Sequence, residues 1–379
     1  MSDPVALTRA LIRCPSVTPA DAGALALVEG VLSAAGFACT RVNRGGVGNL
    51  FARWGARGHP RTFGFNGHTD VVPPGPAEGW SVDPFGGIER DGMVWGRGAA
   101  DMKSGVAAFV CAAARFVADT PPDGAVIVTV TGDEEGPGLD GTAAILDWMA
   151  ANGEAMTACL VGEPTSVARF GDTIKIGRRG SLTGRITATG VQGHAAYPHR
   201  ARNPLPVLVR LLDRLASHRL DDGTAHFDPS TLAITTVDTG NAASNVIPGA
   251  ARAVVNIRYN DRHTAESLGA WLRAEAAAAA EGTGVVLAVD ATSSGEAFLT
   301  PPGPLPALVA AAVRDVAGVD PALSTSGGTS DARFVRAHCP VVEFGLAGAT
   351  MHQVDERVEA AQIAQLAAVY TRVLAGYFA

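Results

Sequence analysis

Two rhythms of apolar and polar positions run along the chain. ADAGALALVEGVLSAAGF (20–37) and MKSGVAAFVCAAARFVAD (102–119) carry apolar residues at helical spacing. The second places Val106, Phe109, Val110, Ala113 and Val117 on one stripe and ends at the breaker TPPDG. TFGFNGH (62–68) and GAVIVTVTGDEE (124–135) are short apolar runs suited to buried strands. This alternation predicts a sheet covered by helices, with polar groups gathered where strands end in loops.

From about Ile174 the order changes. IKIGRRGSLTGRITATG reads as two strands, PLPVLVRLLDRL as a helix, and STLAITTVDTG and ARAVVNIRYN as strands. A helix from about Ala265 and the strand GVVLAVDA close the segment near Ala291. A β-α-β-β-α-β order is the split βαβ arrangement, so this part reads as an inserted second domain. Helix, strand and helix then resume in PLPALVAAAVRDVAG, CPVVEFG and QIAQLAAVYTRVLAGYF, which makes the first domain discontinuous. The expected boundaries are 1–179 and 293–379 for the first domain and 180–292 for the insertion.

Apolar runs end in metal-type ligands at several distant places: His68 and Asp70 in GHTD, Asp101 in GAADMKSG, Glu134 and Glu135 in GDEEG, and Glu163 in VGEP. His352 in TMHQ is a further candidate. Imidazole and carboxylate without thiolate suit catalytic zinc, cobalt or manganese better than a structural zinc site. Residues i and i+2 of a strand share a side, so Asp70 is expected to hydrogen-bond the distal nitrogen of His68. Asp101 has two oxygens able to bridge two ions. Adjacent glutamates project differently from a strand end, so one is expected on metal and the other facing the reacting atoms.

The motifs GHTDVVPPG, GRGAADMKSG, TGDEEG and VGEPT resemble the metal-dependent aminoacylase and carboxypeptidase family over nearly the whole chain. The resemblance implies an α/β, zinc-exopeptidase-like catalytic domain, a central sheet flanked by helices, with an inserted α+β ferredoxin-like dimerisation domain. It implies two divalent metal ions, zinc first and cobalt as the alternative. His68, Asp101 and Glu163 would hold one ion, and Asp101, Glu135 and His352 the other. Glu134 becomes the general base, and His194 in QGHAAYPH stabilises the oxyanion across a homodimer interface.

IKIGRRGSL, GHAAYPHRARNP, NVIPG and SGGTSDARF point to a narrower substrate, the succinyl amide of N-succinyl-LL-2,6-diaminopimelate, over acetylornithine or another N-acyl amino acid. Arg178 and Arg258 offer planar donors for its carboxylates, and Tyr197, Asn245, Ser326 and Thr329 offer hydrogen bonds. Gly327 and Gly328 would expose backbone N–H groups. Arg179 faces away from Arg178 on a strand. One departure stands out: Gly348 in GLAGATMH occupies a position where the narrower pattern commonly has asparagine.

Composition narrows the alternatives. Over 379 residues the chain is 47% hydrophobic and 18% charged, which suits a globular protein of two cores. A net charge of -7 disfavours nucleic acid and anionic membranes as partners. Five scattered cysteines without CxxC spacing read as reduced thiols, and the absence of a leader pattern or a long apolar run points to the cytoplasm. GGVGNL and GRGAAD lack the spacing of a dinucleotide-binding turn, which weighs against an oxidoreductase. Glu134 beside a full ligand set weighs against a binding protein without turnover.

Overall fold

The computed structural model describes residues 3–379 and divides them into two compact units. One comprises residues up to Ile176, Thr300–Ser324 and Ser330–Ala379; the other comprises Gly177–Leu299 and Thr325–Thr329.

In chain order the first unit begins with α1 (Pro4–Ile12), α2 (Ala24–Ala34), β1 (Ala38–Arg41), β2 (Leu50–Trp54) and β3 (Thr62–His68). It continues with β4 (Ile88–Arg90), β5 (Met93–Trp95), α3 (Ser104–Asp119), β6 (Ala125–Thr131), α4 (Thr142–Ala151), β7 (Ala158–Val161) and β8 (Thr173–Lys175). The second unit contains β9 (Gly177–Arg178), β10 (Gly180–Thr189), β11 (Gly193–His194), α5 (Pro204–Ser217), β12 (Thr231–Asp238) and β13 (Val246–Ile247). Next come β14 (Ala250–Tyr259), α6 (Ala265–Ala280), β15 (Val286–Gly295) and β16 (Phe298–Leu299). The chain then returns to the first unit with α7 (Pro304–Ala317), β17 (Ala322–Ser324), α8 (Ala332–Val335), β18 (Val341–Glu343), β19 (Arg357–Glu359) and α9 (Ala360–Phe378).

The first unit is built on an eight-stranded sheet of order β1-β2-β6-β3-β7-β18-β8-β17. Its centre, β6, β3, β7 and β18, is parallel. β3, β6 and β7 are buried along their whole length, as continuous apolar runs covered on both faces must be. α3 buries the stripe expected of it, and Phe109 stacks on Phe65 of β3 at 5.1 Å while Tyr370 of α9 tilts against the same ring. Because the four central strands run the same way, His68, the segment after Thr131, the segment after Val161 and the segment after Glu343 all leave one edge of the sheet, where an α/β protein places its ligands. A small separate sheet, β19-β5-β4, leads into Asp101.

The second unit is a four-stranded antiparallel sheet of order β12-β14-β10-β15, with α5 and α6 packed into its core. Alternate residues of β10 and β14 are buried, the period-2 pattern of a sheet covered on one face. α5 starts at Pro204 with Asn203 capping Leu205 N, and α6 starts with a Thr264–Ser267 capping box. IKIGRRGSLTGRITATG forms three strands rather than the two expected: β8 joins the large sheet beside β17, β9 pairs with β16, and β10 enters the four-stranded sheet. β15 runs on to Gly295, past the expected end near Ala291, because it stays paired with β10 as far as Ser181. Among the described residues no helix is long and apolar enough to cross a membrane.

Candidate metal centre

The edge of the large sheet brings together residues far apart in sequence. His68 Nε2 lies 3.2 Å from Asp101 Oδ1, 3.8 Å from Glu163 Oε1 and 3.9 Å from Glu134 Oε2. His352 Nε2 lies 3.3 Å from Asp101 Oδ2 and 2.8 Å from Glu135 Oε1. Asp101 therefore turns one oxygen to each histidine. Donor atoms of His68, Asp101 and Glu135, and those of His68, Glu134 and Glu163, lie within 4.8 Å of one another. His68 and Glu163 are buried, and His352 is about half exposed, with 47% of its side chain open.

Close packing of small residues makes this convergence possible. Gly105, at the start of α3, faces the carbonyl oxygen of Gly162, and a Cβ at Gly105 would run into that oxygen. The Asp101 turn and the Glu163 loop thus approach through bare backbone.

Asp70 does a different job from the one expected. β3 ends at His68, so the two residues no longer alternate on one strand. His68 Nδ1 instead meets the main-chain oxygen of Asp70 at 2.9 Å, with the Asp70 carboxylate 3.6 Å away. That carboxylate accepts the N–H of Glu134 at 3.2 Å and of Glu135 at 3.0 Å, and so fixes the backbone from which both glutamates project.

The protonation balance reflects crowded negative charge in a dry place. Burial, with repulsion from Asp331, Asp101 and Glu135, pushes Glu134 up to about 8 against the pull of His68. Burial and the charges of Asp101 and Glu134 push Glu163 well above the usual carboxylate range. His68 is raised despite its burial, by the hydrogen bond to Asp101 and the charges of Glu163 and Glu134. Hydrogen bonds to Asp101 and Glu135 raise His352 to about 10. Burial opposes ionisation of Asp101, but its hydrogen bonds to His352 and His68 outweigh this and hold it low. Protons on the two imidazoles sit where divalent cations would relieve the same carboxylates.

The donor set passes a direct test for such ions. Glu163 Oε1 is buried without a hydrogen-bond partner, a costly state for a carboxylate oxygen that a cation would remove. Carboxylate and imidazole with no thiolate is the donor chemistry of a catalytic rather than a structural site.

The other candidates lie in the second unit. Arg178 is buried on β9, its Nη1 donating to Gly328 O at 3.2 Å, and a Cβ at Gly327 would meet Nη1 at 2.8 Å. Arg258 is partly buried on β14 and donates from Nε to Asn256 Oδ1. Asn245 is exposed, and its main-chain oxygen accepts from Ala195 N. His194 is exposed, 5.7 Å ring to ring from Tyr197. Ala196 N donates to His194 Nδ1 at 3.0 Å, so Nε2 is the ring nitrogen left to donate. Ser326 and Thr329 are partly buried, and Gly327 and Gly328 are exposed. Gly348, in the first unit, leaves room in which a Cβ would meet Met351 Sδ at 3.0 Å and Pro164 Cβ at 3.4 Å. An asparagine there would have to displace the flexible Met351 side chain.

Sequence reading missed several buried polar groups around the cluster. Asp331 accepts from Thr142 Oγ1 at 2.7 Å, and Thr142 in turn receives Asn66 Nδ2. Lys103 is buried and donates to Cys14 O. Arg97 and Glu356 form a buried ion pair. Arg97 and Lys103 lie within GRGAADMKSG and Asp331 within SGGTSDARF, so their place in those motifs was the available signal, and Glu356 carried none.

A helix-flanked, largely parallel sheet with imidazoles and carboxylates converging at the carboxyl ends of its strands defines a metallohydrolase-type α/β enzyme. The chain belongs to Peptidase family M20/M25/M40, whose model matches residues 64–376. It is 68% identical over 376 residues to a succinyl-diaminopimelate desuccinylase of Cereibacter sphaeroides, covering 99% of each chain. It is 67% identical over 377 residues to one of Ruegeria pomeroyi, covering 100% of this chain and 99% of the other. Among solved structures, a Bacillus subtilis protein described as a dinuclear metal binding peptidase from the M20 family shares the fold, with a TM-score of 0.73 at 16% identity over 99% of this chain and 98% of that one.

Proposed function

We propose that the chain hydrolyses the succinyl amide of N-succinyl-LL-2,6-diaminopimelate to succinate and LL-2,6-diaminopimelate, a cytoplasmic step toward lysine and cell-wall precursors. The observation that carries the chemistry is Asp101, whose two oxygens face His68 and His352 separately. The choice of substrate is supported by the full-length identity to the desuccinylases.

His68, Asp101 and Glu163 would hold one divalent ion, and Asp101, Glu135 and His352 the other, with zinc preferred and cobalt the alternative. The chemistry such a pair supplies when bound is polarisation of the amide carbonyl and easier deprotonation of a nearby water. Glu134 takes the proton as the water oxygen bonds to the carbonyl carbon, then gives it to the nitrogen as the C–N bond breaks. Its raised proton affinity in the buried pocket suits it to carry that proton between the two steps. Asp70 aims Glu134 through the peptide N–H it accepts. His194 presents a protonated Nε2 to the oxyanion, supplied by the partner subunit of a homodimer.

Arg178, Arg258, Tyr197, Asn245, Ser326, Thr329 and the N–H groups of Gly327 and Gly328 bind the substrate's carboxylates and amine. The insertion 180–292 is the dimerisation domain. β12 supports this as a sheet edge, with Ile234 and Val237 exposed along it.

The test is turnover of chelated and then zinc-reconstituted protein on succinylated diaminopimelate, succinylornithine and acetylornithine. Activity should vanish on chelation, return with zinc, and favour succinylated diaminopimelate at least about 100-fold in kcat/KM, as a site with dedicated carboxylate partners allows. Preference for acetylornithine would overturn the substrate assignment. Glu134→Gln should lower kcat by at least about 100-fold, the scale of a lost general base, while zinc content is kept.

A further inference from the structure

Two buried charges beside the cluster have no part in the chemistry above: Arg97, two residues past β5, and Glu356, immediately before β19. These strands pair antiparallel with Trp95 opposite Arg357, and the ladder runs one step further, Gly96 N donating to Glu356 O at 2.9 Å. The side chains then meet, Arg97 Nη1 donating to Glu356 Oε2 at 2.6 Å.

Their remaining bonds go to the main chain. Glu356 Oε2 accepts from Gly98 N at 3.0 Å, and Oε1 accepts from Ala100 N at 2.8 Å and Asp101 N at 3.2 Å. Arg97 turns the other way, Nη1 donating to Gln353 O at 3.2 Å, and Nη2 to His352 O at 3.4 Å and Pro73 O at 3.5 Å. Trp80 lies against the guanidinium at 5.3 Å. One charge thus grips the turn that carries Asp101, and the other grips the loop that carries His352.

His352 has the greater need of a grip. Its φ is +61°, a left-handed conformation that a residue with a Cβ holds only when its surroundings impose it. Its side chain is half exposed, and it follows no strand of the large sheet directly. His68 ends β3, and Glu163 stands two residues past β7, so the sheet itself places both. The Asp101 turn has internal bonds of its own, Lys103 N to Gly98 O and Ser104 Oγ to Ala99 O.

We propose that the Arg97–Glu356 pair is a positioning clamp that sets the spacing of Asp101 and His352 and thereby governs uptake of the second divalent cation selectively. This rests on the two-ion reading given above. A planar fork and a carboxylate with every lone pair directed are suited to the task, because each fixes several main-chain atoms at once.

The experiment is a calorimetric titration of metal-stripped full-length protein with zinc, comparing the unaltered chain with Glu356→Gln and Arg97→Lys, together with backbone amide exchange. In Glu356→Gln the second binding step should weaken at least tenfold while the first stays within threefold. Amides of Gly98, Ala100 and Asp101 should exchange at least tenfold faster, with β3 and β6 unchanged. Arg97→Lys, which keeps the charge but loses the fork, should show the same selectivity to a smaller degree, and it carries the test should Glu356→Gln not fold. Equal weakening of both steps with faster exchange throughout would make the pair an ordinary core contact and overturn the proposal, as would no change in either. If the unaltered chain takes up a single ion, the two-ion reading is what fails. The clamp is then judged on exchange alone: acceleration confined to 98–101 upholds it, and any other pattern ends it.

Discussion

Asp70→Asn isolates one contact at the heart of the cluster. The Asp70 carboxylate is buried and accepts two peptide N–H groups, from Glu134 at 3.2 Å and Glu135 at 3.0 Å. Burial raises its carboxyl to about 6, against the pull of His68, so it is an anion at an assay pH of 7.5. Asparagine has nearly the same shape but offers one acceptor oxygen and one NH2. One peptide N–H keeps a partner, and the other faces a donor in a dry site. Orphaning a buried N–H costs about 1–3 kcal/mol. Where that cost falls on the aim of Glu134, kcat drops about 10- to 100-fold, since about 1.4 kcal/mol is tenfold in rate. The main-chain oxygen that holds His68 Nδ1 is untouched, so zinc held through His68 should be kept, and the assay at saturating zinc fills the site that uses Glu135. The assay is kcat and KM on N-succinyl-LL-2,6-diaminopimelate at saturating zinc, with metal measured by elemental analysis. A kcat within twofold of the unaltered enzyme would refute the reasoning, and so would a loss of kcat that merely follows a loss of zinc.

Three further outcomes follow from other parts of the molecule. Gly105→Ala drives a methyl group into the Gly162 carbonyl, backbone against backbone, and should lower the denaturation free energy by about 1–3 kcal/mol, read from the urea midpoint, while weakening zinc retention at Glu163. Arg178→Lys replaces a buried planar donor and, if the proposed contact to a substrate carboxylate is made, should raise KM about 10-fold or more with little change in kcat. In the second unit, burial tends to raise the Asp221 carboxyl, but hydrogen bonds from Ser230, Gly223 and Asn260 outweigh it and hold it below the usual range. Between the folded and unfolded pKa values the unfolded chain binds more protons, so the stabilisation is complete above the unfolded value of about 3.9 and fades as pH falls toward the folded one. Asp221→Asn should therefore melt lower than the unaltered chain at pH 7, and the gap should close toward acid; a gap that widens on acidification would contradict the assignment.

Much of the candidate cluster was legible because His68, Glu134, Glu135 and Glu163 end or closely follow apolar runs, and a run of that kind has to be a buried strand, whereas His352 stands in a loop away from any such run. β3 and β6 carry their chemistry at the last residue or just past it. The helices α3, α5 and α9 were equally plain from their stripes. Lateral strand order was not legible, since nothing local in Val341–Glu343 states that β18 lies between β7 and β8. Arg97 and Glu356 escaped for a related reason: charged residues in loops look solvated until their partner is known, and these partners stand 259 positions apart. The role of Asp70 was misread because the alternation argument holds only while the strand lasts, and β3 stops at His68.

The insertion of β18 between β7 and β8 also bears on how the polypeptide matures on the ribosome. A nascent chain that has emerged only as far as α7 carries β7 and β8 with a vacant slot between them, two sticky borders awaiting a strand not yet translated. Closure of the sheet waits for residues 341–343, and delivery of His352 follows nine residues later still. The ligand set that includes His352 is thereby completed only after the sheet has closed, and chains truncated before residue 341 should be prone to aggregate through those open borders.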